Sequence, residues 1–338
     1  MRTPIGLAVA ALMAFGAVQA FAPRQTPPLS ASRLALDRMQ LNTLVTSKAG
    51  LVAGGELGHL LFSTNQGKEW QSASVPNDRQ ALINQIVFTA DGLHGMAVGH
   101  EGWILRTADG GLSWSEVAFE EQNGEPLMSI AQLPSGAWIT VGAFGRALRS
   151  DDDGKTWTRL ALPESVGDKH MNRIVGSADG QQWLIVGERG LVLKSADAGT
   201  TWEEVPPFYN GSLYNAIALP KGEWLAYGMR GNIFHSDGFN GPWVRSEFPA
   251  PVSFYGHAVT ADGKVILVGQ GSIVATSADG GRHFQLSRVE GRASLTDLAL
   301  NADGTGWLTS NMGIQPYPMP APDSSAPSSS ASPSGVKP

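Results

Sequence analysis

The seventeen residues Val186-Gly-Glu-Arg-Gly-Leu-Val-Leu-Lys-Ser-Ala-Asp-Ala-Gly-Thr-Thr-Trp202 join two signatures: a Val-Gly-x-x-Gly turn and, one short strand later, a Ser/Thr-x-Asp-x-Gly-x-Thr-Trp turn. The second recurs as Ser63–Trp70, Thr107–Trp114, Ser150–Trp157, Ser195–Trp202, the degenerate Ser236–Trp243 and Ser277–Phe284, with aromatic ends 44, 43, 45, 41 and 41 residues apart. The first precedes each copy, as Gly54–Gly58, Val98–Gly102, Val141–Gly145, Val186–Gly190, Tyr227–Gly231 and Val268–Gly271. Turn signals such as Ala90-Asp91-Gly92 and Ala178-Asp179-Gly180 come earlier in the unit. Each unit thus reads as strand, turn, strand, Gly-rich turn, strand, Asp-containing turn, strand, at the period of a four-stranded propeller blade.

Six such units are followed by a partial seventh, Ser294–Leu300 and Gly306–Ser310, without an Asp-box or final strand. The expected fold is an all-β, seven-bladed β-propeller with Asp-box turns, six blades being the alternative. The alternating segment Leu34–Arg38 is predicted to supply the missing strand and close the ring, removing open sheet edges. In the Asp-box, Ser and Asp bond turn backbone, Gly takes unusual dihedrals and Trp packs between sheets. Ser150–Gly154 lacks the bidentate Glu and spacing of a calcium loop, so no metal site is expected.

The chain starts Met1-Arg2, runs apolar from Ile5 to Val18 and presents Val18-Gln19-Ala20, which reads as a Sec signal peptide over 1–20 cut after Ala20. The apolar run is short for a bilayer span, so no integral membrane segment is expected after cleavage. The reading continues with a linker over 21–31, the propeller over 32–317 and a disordered Pro/Ser-rich tail over 318–338. With 0 Cys there is no disulfide framework, thiolate site or lipid-attachment cysteine, which suits a periplasmic or secreted protein. Net charge is −6, or −7 without the first twenty residues, which disfavours nucleic acid as a partner.

Alternating strand direction puts the Asp-boxes on one end of the disc and the Val-Gly-x-x-Gly turns and inter-blade links on the other, where the residues vary. Aligning the inner strands gives one column of Asn42, Asn84, Met128, Asn172, Tyr214, Tyr255 and Thr296, and a next column of Thr43, Gln85, Ser129, Arg173, Asn215, Gly256 and Asp297. Together they are expected to ring the channel mouth. Arg146, Arg173, Arg189 and Arg230, with Glu188, Phe144, Tyr214 and Tyr255, form the candidate partner-binding set, since arginine forks recognise carboxylates and stack on rings. The column Arg106, Arg149, Lys194 and His235 is expected to bridge adjacent blades.

These repeats, best seen at 98–114, 141–157 and 186–202, resemble the Asp-box (BNR-repeat) propellers of the photosystem II stability and assembly factor-like family. The resemblance implies a non-enzymatic, exported scaffold that docks a membrane or envelope protein through an arginine-rich surface, without a cofactor. Relatives outside photosynthetic organisms look like accessories of RND-type transporters, which gives a candidate partner complex. The competing class is a sialidase-like glycosidase or a carbohydrate-binding propeller; Tyr214 or Tyr255 with Glu188 and three arginines would take the catalytic roles. The Arg-Ile-Pro segment of that family is absent, no other catalytic set stands out, and no catalytic residue is assigned.

Overall fold

In the computed structural model the chain divides into two units, 1–34 and 35–338, and residues 6, 8, 11–16, 34–77, 79–122 and 124–317 are described. In the first unit residues 11–16 are helical. No helix among the described residues is long and apolar enough to cross a membrane. The cleavage point after Ala20, the linker over 21–31 and the tail over 318–338 lie outside the described residues.

The second unit is a seven-bladed propeller. Six four-stranded antiparallel sheets span Leu41–Ser72, Ile83–Ala118, Leu127–Arg159, Met171–Glu204, Leu213–Arg245 and Phe254–Arg288, and a three-stranded sheet spans Leu295–Tyr317. These are blades 1 to 7, with strands A to D from the channel outward. Strand B is buried along its length in blades 1 to 6, as in Trp183–Gly187, because neighbouring blades cover both its faces. The core therefore lies between blades: Ile139 and Val141 of blade 3 meet Met171, Ile174, Ile185 and Leu193 of blade 4.

Close packing dictates the Gly-rich turn. A Cβ on Gly187 would lie 2.2 Å from the His170 carbonyl oxygen, and the matching glycine of every other complete blade meets the same obstacle, Gly55 at 2.0 Å from the Gln40 oxygen and Gly142 at 2.1 Å from that of Pro126. The second glycine of the turn, Gly190, has φ 71°, a left-handed conformation that other residues resist. Gly187→Ala is expected to cost about 1–3 kcal/mol through forced backbone displacement, read by urea denaturation. Wild-type stability would mean that link and turn separate freely.

The Asp-containing turns are held by side chains. Ser195 Oγ donates to Asp197 Oδ1 (2.7 Å) and accepts the Gly199 N–H (3.0 Å), while Asp197 accepts the Thr201 N–H (2.9 Å) and hydroxyl (2.6 Å). These donors hold the Asp197 carboxyl down at about 2. In the degenerate copy Ser236 donates instead to the Gly238 carbonyl at 2.7 Å.

Closure differs from expectation. Residues 36–38 form a turn rather than a strand, with Arg38 N–H donating to the Ala35 oxygen (2.9 Å), and among the described residues the segment makes one backbone hydrogen bond to blade 7, Ile314 N–H to the Leu36 oxygen (3.0 Å). Pro316, in the outermost strand of blade 7, has no N–H to offer a fourth strand. Blades 7 and 1 join side by side instead: Asp297 accepts the Leu44 N–H at 2.9 Å, and Trp307 Nε1 donates to the Gln66 oxygen at 2.9 Å.

Candidate functional site

Every strand A slips register against strand B at the same place, between Leu41 and Thr43 in blade 1 and between Met171 and Arg173 in blade 4, for example. The skipped residues are Asn42, Asn84, Met128, Asn172, Tyr214, Tyr255 and Thr296. A bulge re-aims its extra side chain. All seven line one cavity of about 430 Å³, with Gln40, Arg173, Asn215, Ser294, Asp297 and Asn311. Ser294 belongs to a link and Asn311 to a strand B–C turn, so the cavity is the channel mouth on the predicted end.

Part of this ring is scaffold. Asn42 Nδ2 donates to the Ile83 oxygen (3.1 Å), Asn84 to that of Leu127 (2.8 Å) and Asn172 to that of Leu213 (2.8 Å), each tying a blade to the next. One residue along, Gln85 Oε1 accepts both the Ser129 hydroxyl (2.7 Å) and the Ile130 N–H (2.9 Å). Gln85→Leu strands two buried donors and is expected to cost about 2–4 kcal/mol, measurable by thermal and urea unfolding. A change below about 1 kcal/mol would show that water replaces the tie.

Tyr214 and Tyr255 do not make such ties; their rings stack at 5.5 Å between centroids and 26° between planes. Below them the Tyr227 hydroxyl meets His257 Nδ1 at 2.8 Å. Burial, helped by the Arg173 charge, pushes His257 down to about 3, so a neutral imidazole shares this hydrogen bond with the phenol. Asp297 is pushed up to about 6 by burial, against the opposing pull of Arg173 and the Leu44 and Leu298 N–H groups it accepts. The channel leaves Asp297 partly open to water, yet neighbouring atoms crowd the carboxyl enough for desolvation to win.

The four arginines separate into three environments. Arg146 is 15% exposed and ion-paired to Glu120, with Glu125 at 3.9 Å, so it is a neutralised packing residue. Arg173 lies in the channel mouth. Arg189 and Arg230 stand exposed at the tips of the Gly-rich turns of blades 4 and 5. Arg189, 65% exposed, has Asp168 at 3.6 Å and Glu188 at 3.8 Å; Arg230 has no ion pair among the described residues. Surface pairs of this length hold a side chain weakly.

These tips share an unusual backbone: Leu57, Glu101, Phe144, Arg189 and Arg230 have φ between 51° and 57°, where blade 6 has Gly271. Phe144 is 56% exposed, its ring edge-on to His170 at 4.8 Å. A bulky residue held left-handed costs about 1 kcal/mol or more. Phe144→Gly is accordingly expected to leave stability unchanged or raise it by about 1 kcal/mol; a marked loss would make Phe144 a packing residue.

The basic column bridges blades in part. Arg106 pairs with Asp153 of blade 3 and Lys194 Nζ donates to Asn240 of blade 5 at 2.9 Å, but Arg149 pairs within its own blade, with Asp151 at 2.7 Å. Glu188 does not line the cavity that holds Tyr214 and Tyr255, so the glycosidase set named from sequence is not assembled there. No metal-binding cluster occurs among the described residues. Sequence reasoning missed the His257–Tyr227 pair and the acidic partners of Arg146, which reach their targets from strands and links with no repeat signal.

A family model described as photosynthesis system II assembly factor YCF48 matches residues 62–243. No curated protein sequence matches the chain. Similar solved structures include YCF48 bound to D1 peptide (21% identity, 88% of this chain and 99% of that one, TM-score 0.66) and YCF48 from Cyanidioschyzon merolae (14%, 83% and 95%, 0.64). Virginiamycin B lyase from Staphylococcus aureus is also similar (12%, 85% and 96%, 0.71). At these identities the likenesses show the fold alone. The family rests on the sequence match, which spans the repeats from blade 1 to blade 5: the chain belongs to the YCF48-type photosystem II assembly factor family of β-propellers.

Proposed function

We propose that this protein is an exported, non-enzymatic scaffold that holds an acidic, extended segment of a membrane or envelope protein on the face carrying the Gly-rich turns. The observation that carries this reading is the pair Arg189 and Arg230, exposed on successive blades at backbone positions that disfavour them. Arg230 has no ion pair among the described residues and Arg189 has two long, exposed ones, so both charges stay available to a partner. Phe144 on the blade before adds an apolar contact, and Glu188 lies 3.8 Å from the Arg189 guanidinium. A related solved structure is YCF48 with a D1 peptide, which supports a peptide-like occupant for a propeller of this family. The candidate partner complex is an RND-type transporter of the envelope.

The acidic total charge does not oppose this role, because short-range recognition depends on the local arginines more than on the distant net charge at physiological salt. Rim cations chiefly steer encounter and suppress wrong partners. Immobilised protein should retain an acidic, extended peptide at low salt and release it as salt rises, with Arg189→Glu/Arg230→Glu retaining far less. Equal retention by the reversed variant would move the binding surface elsewhere. Turnover of sialosides or other glycosides, abolished by Tyr214→Phe or Tyr255→Phe, would contradict the non-enzymatic reading.

A further inference from the structure

The second position of the inner strand is a structural acceptor around much of the ring. The side chain there takes the backbone N–H of the next blade: Asp297 from Leu44 (2.9 Å), Thr43 from Ile86 (3.3 Å), Gln85 from Ile130 (2.9 Å) and Ser129 from Ile174 (3.1 Å). Blade 4 places Arg173 at this position, and a guanidinium has donors only. Ala216, which would be its client, falls back on the Asn215 carboxamide oxygen at 2.9 Å. Arg173 itself has no hydrogen bond or ion pair among the described residues, although it lines the channel mouth. It breaks the scaffold rule, and within the protein its charge is met by the through-space attraction of Asp297 without a hydrogen bond.

The departures from the first column of ties cluster around it. Met128, Tyr214 and Tyr255 stand where Asn42, Asn84 and Asn172 bind the next blade, and all three share the cavity with Arg173. The amides of Asn84 and Asn172 each give an N–H to those carbonyls, and neither carboxamide oxygen has a hydrogen-bond donor among the described residues. One side of the mouth therefore offers a planar cation with no hydrogen-bond partner among the described residues, two stacked rings, a thioether and two carboxamide oxygens.

We propose that the channel mouth binds a carboxylate-bearing ligand, its acid on the Arg173 fork, its flat or apolar body against Tyr214, Tyr255 and Met128, and an N–H or O–H donor facing Asn84 or Asn172. Each contact matches a known preference: bidentate guanidinium to carboxylate, ring against ring, sulfur against aromatic. The cavity, about 430 Å³, holds a small aromatic or N-acylated acid, or the last residue of a peptide. Of the other titratable groups facing Arg173, His257 and Tyr227 stay neutral while Asp297 does not. Asp297 competes for the cation when ionised, so binding tightens as pH falls through about 6. The site stands independently of docking at Arg189 and Arg230.

Calorimetric titration of the full chain tests it with N-acetylphenylalanine, acetyl-Gly-Gly-Phe and the C-terminal amides of both. The acids should bind about tenfold or more tightly than the amides, since only the acids pair with the fork. Affinity for the acids should rise several-fold from about pH 7.5 to about pH 5.5, and Asp297→Asn should flatten that rise. Equal affinities for the two acids would assign the site to free small acids; a much tighter tripeptide would assign it to chain ends. Arg173→Gln should weaken acid binding about tenfold while leaving stability intact or raised, because glutamine restores the acceptor that Gln85 supplies in blade 2. Arg173→Lys, which keeps charge without the fork, should fall between. Acids and amides binding alike, no acid binding at millimolar concentration, or undiminished binding by both Arg173 variants would overturn the proposal.

Discussion

Trp103→Ala is expected to remove about 3–5 kcal/mol of stability, more than any other single change considered. Trp103 is fully buried at the start of strand C of blade 2, among Ile83, Ile86, Leu105 and Trp114 of its own blade and Val52 of blade 1, so its loss opens a cavity between two sheets. It also packs edge-on to Phe119 at 6.4 Å and donates its indole N–H to Glu116 at 2.9 Å. Glu116 keeps its two bonds from Arg79, each 2.9 Å, so the carboxylate stays paired and the cost is one of packing. Urea denaturation gives the comparison with wild type. A loss below about 1 kcal/mol would mean that the blades slide together to fill the space, contrary to the rigid inter-blade core described above.

The second large effect is on pH dependence, where His257 and Asp297 pull in opposite directions. His257 is held neutral in the fold, down to about 3 from 6.5, so its contribution is present above pH 6.5 and is lost as pH falls from 6.5 toward 3. Asp297 is raised from 3.8 to about 6, so its contribution is full below pH 3.8 and is lost as pH rises through 6. In wild type the two slopes largely cancel between about pH 4 and 6. His257→Gln should therefore gain stability on acidification across that window, and Asp297→Asn should lose it more steeply than wild type, each by as much as roughly 3 kcal/mol at pH 4. The turn aspartates, held low, act below pH 3.8 and do not blur the window. Parallel curves for wild type and both variants would show that water in the channel screens the pair.

The repeats made the blade architecture legible because each turn needs particular chemistry. Gly187 is required by a carbonyl 2.2 Å from where its Cβ would be, and Ser195 and Asp197 by the turn they bond, so these residues recur with the fold. The channel column was legible for the same reason, since aligning repeats aligns the bulges that aim those side chains inward. What failed was whatever depends on a unique contact. Nothing in the spacing of Arg146 announces Glu120, which reaches it from the link after blade 2, and Leu34–Arg38 alternates like a strand although its neighbour in blade 7 carries Pro316. The two exposed arginines and the channel arginine looked like one sector in sequence; two turn tips and a strand beside a bulge place them in separate environments.

Cross-linking in the native envelope, followed by identification of what is captured, tests the central claim most directly. Wild-type protein should capture a specific membrane-complex component, and Arg189→Glu/Arg230→Glu should capture it at least several-fold less, with the difference narrowing as salt rises because the contribution is a screened surface attraction. Undiminished capture of the same component by the reversed protein would contradict the account and leave the tip arginines as solvated surface.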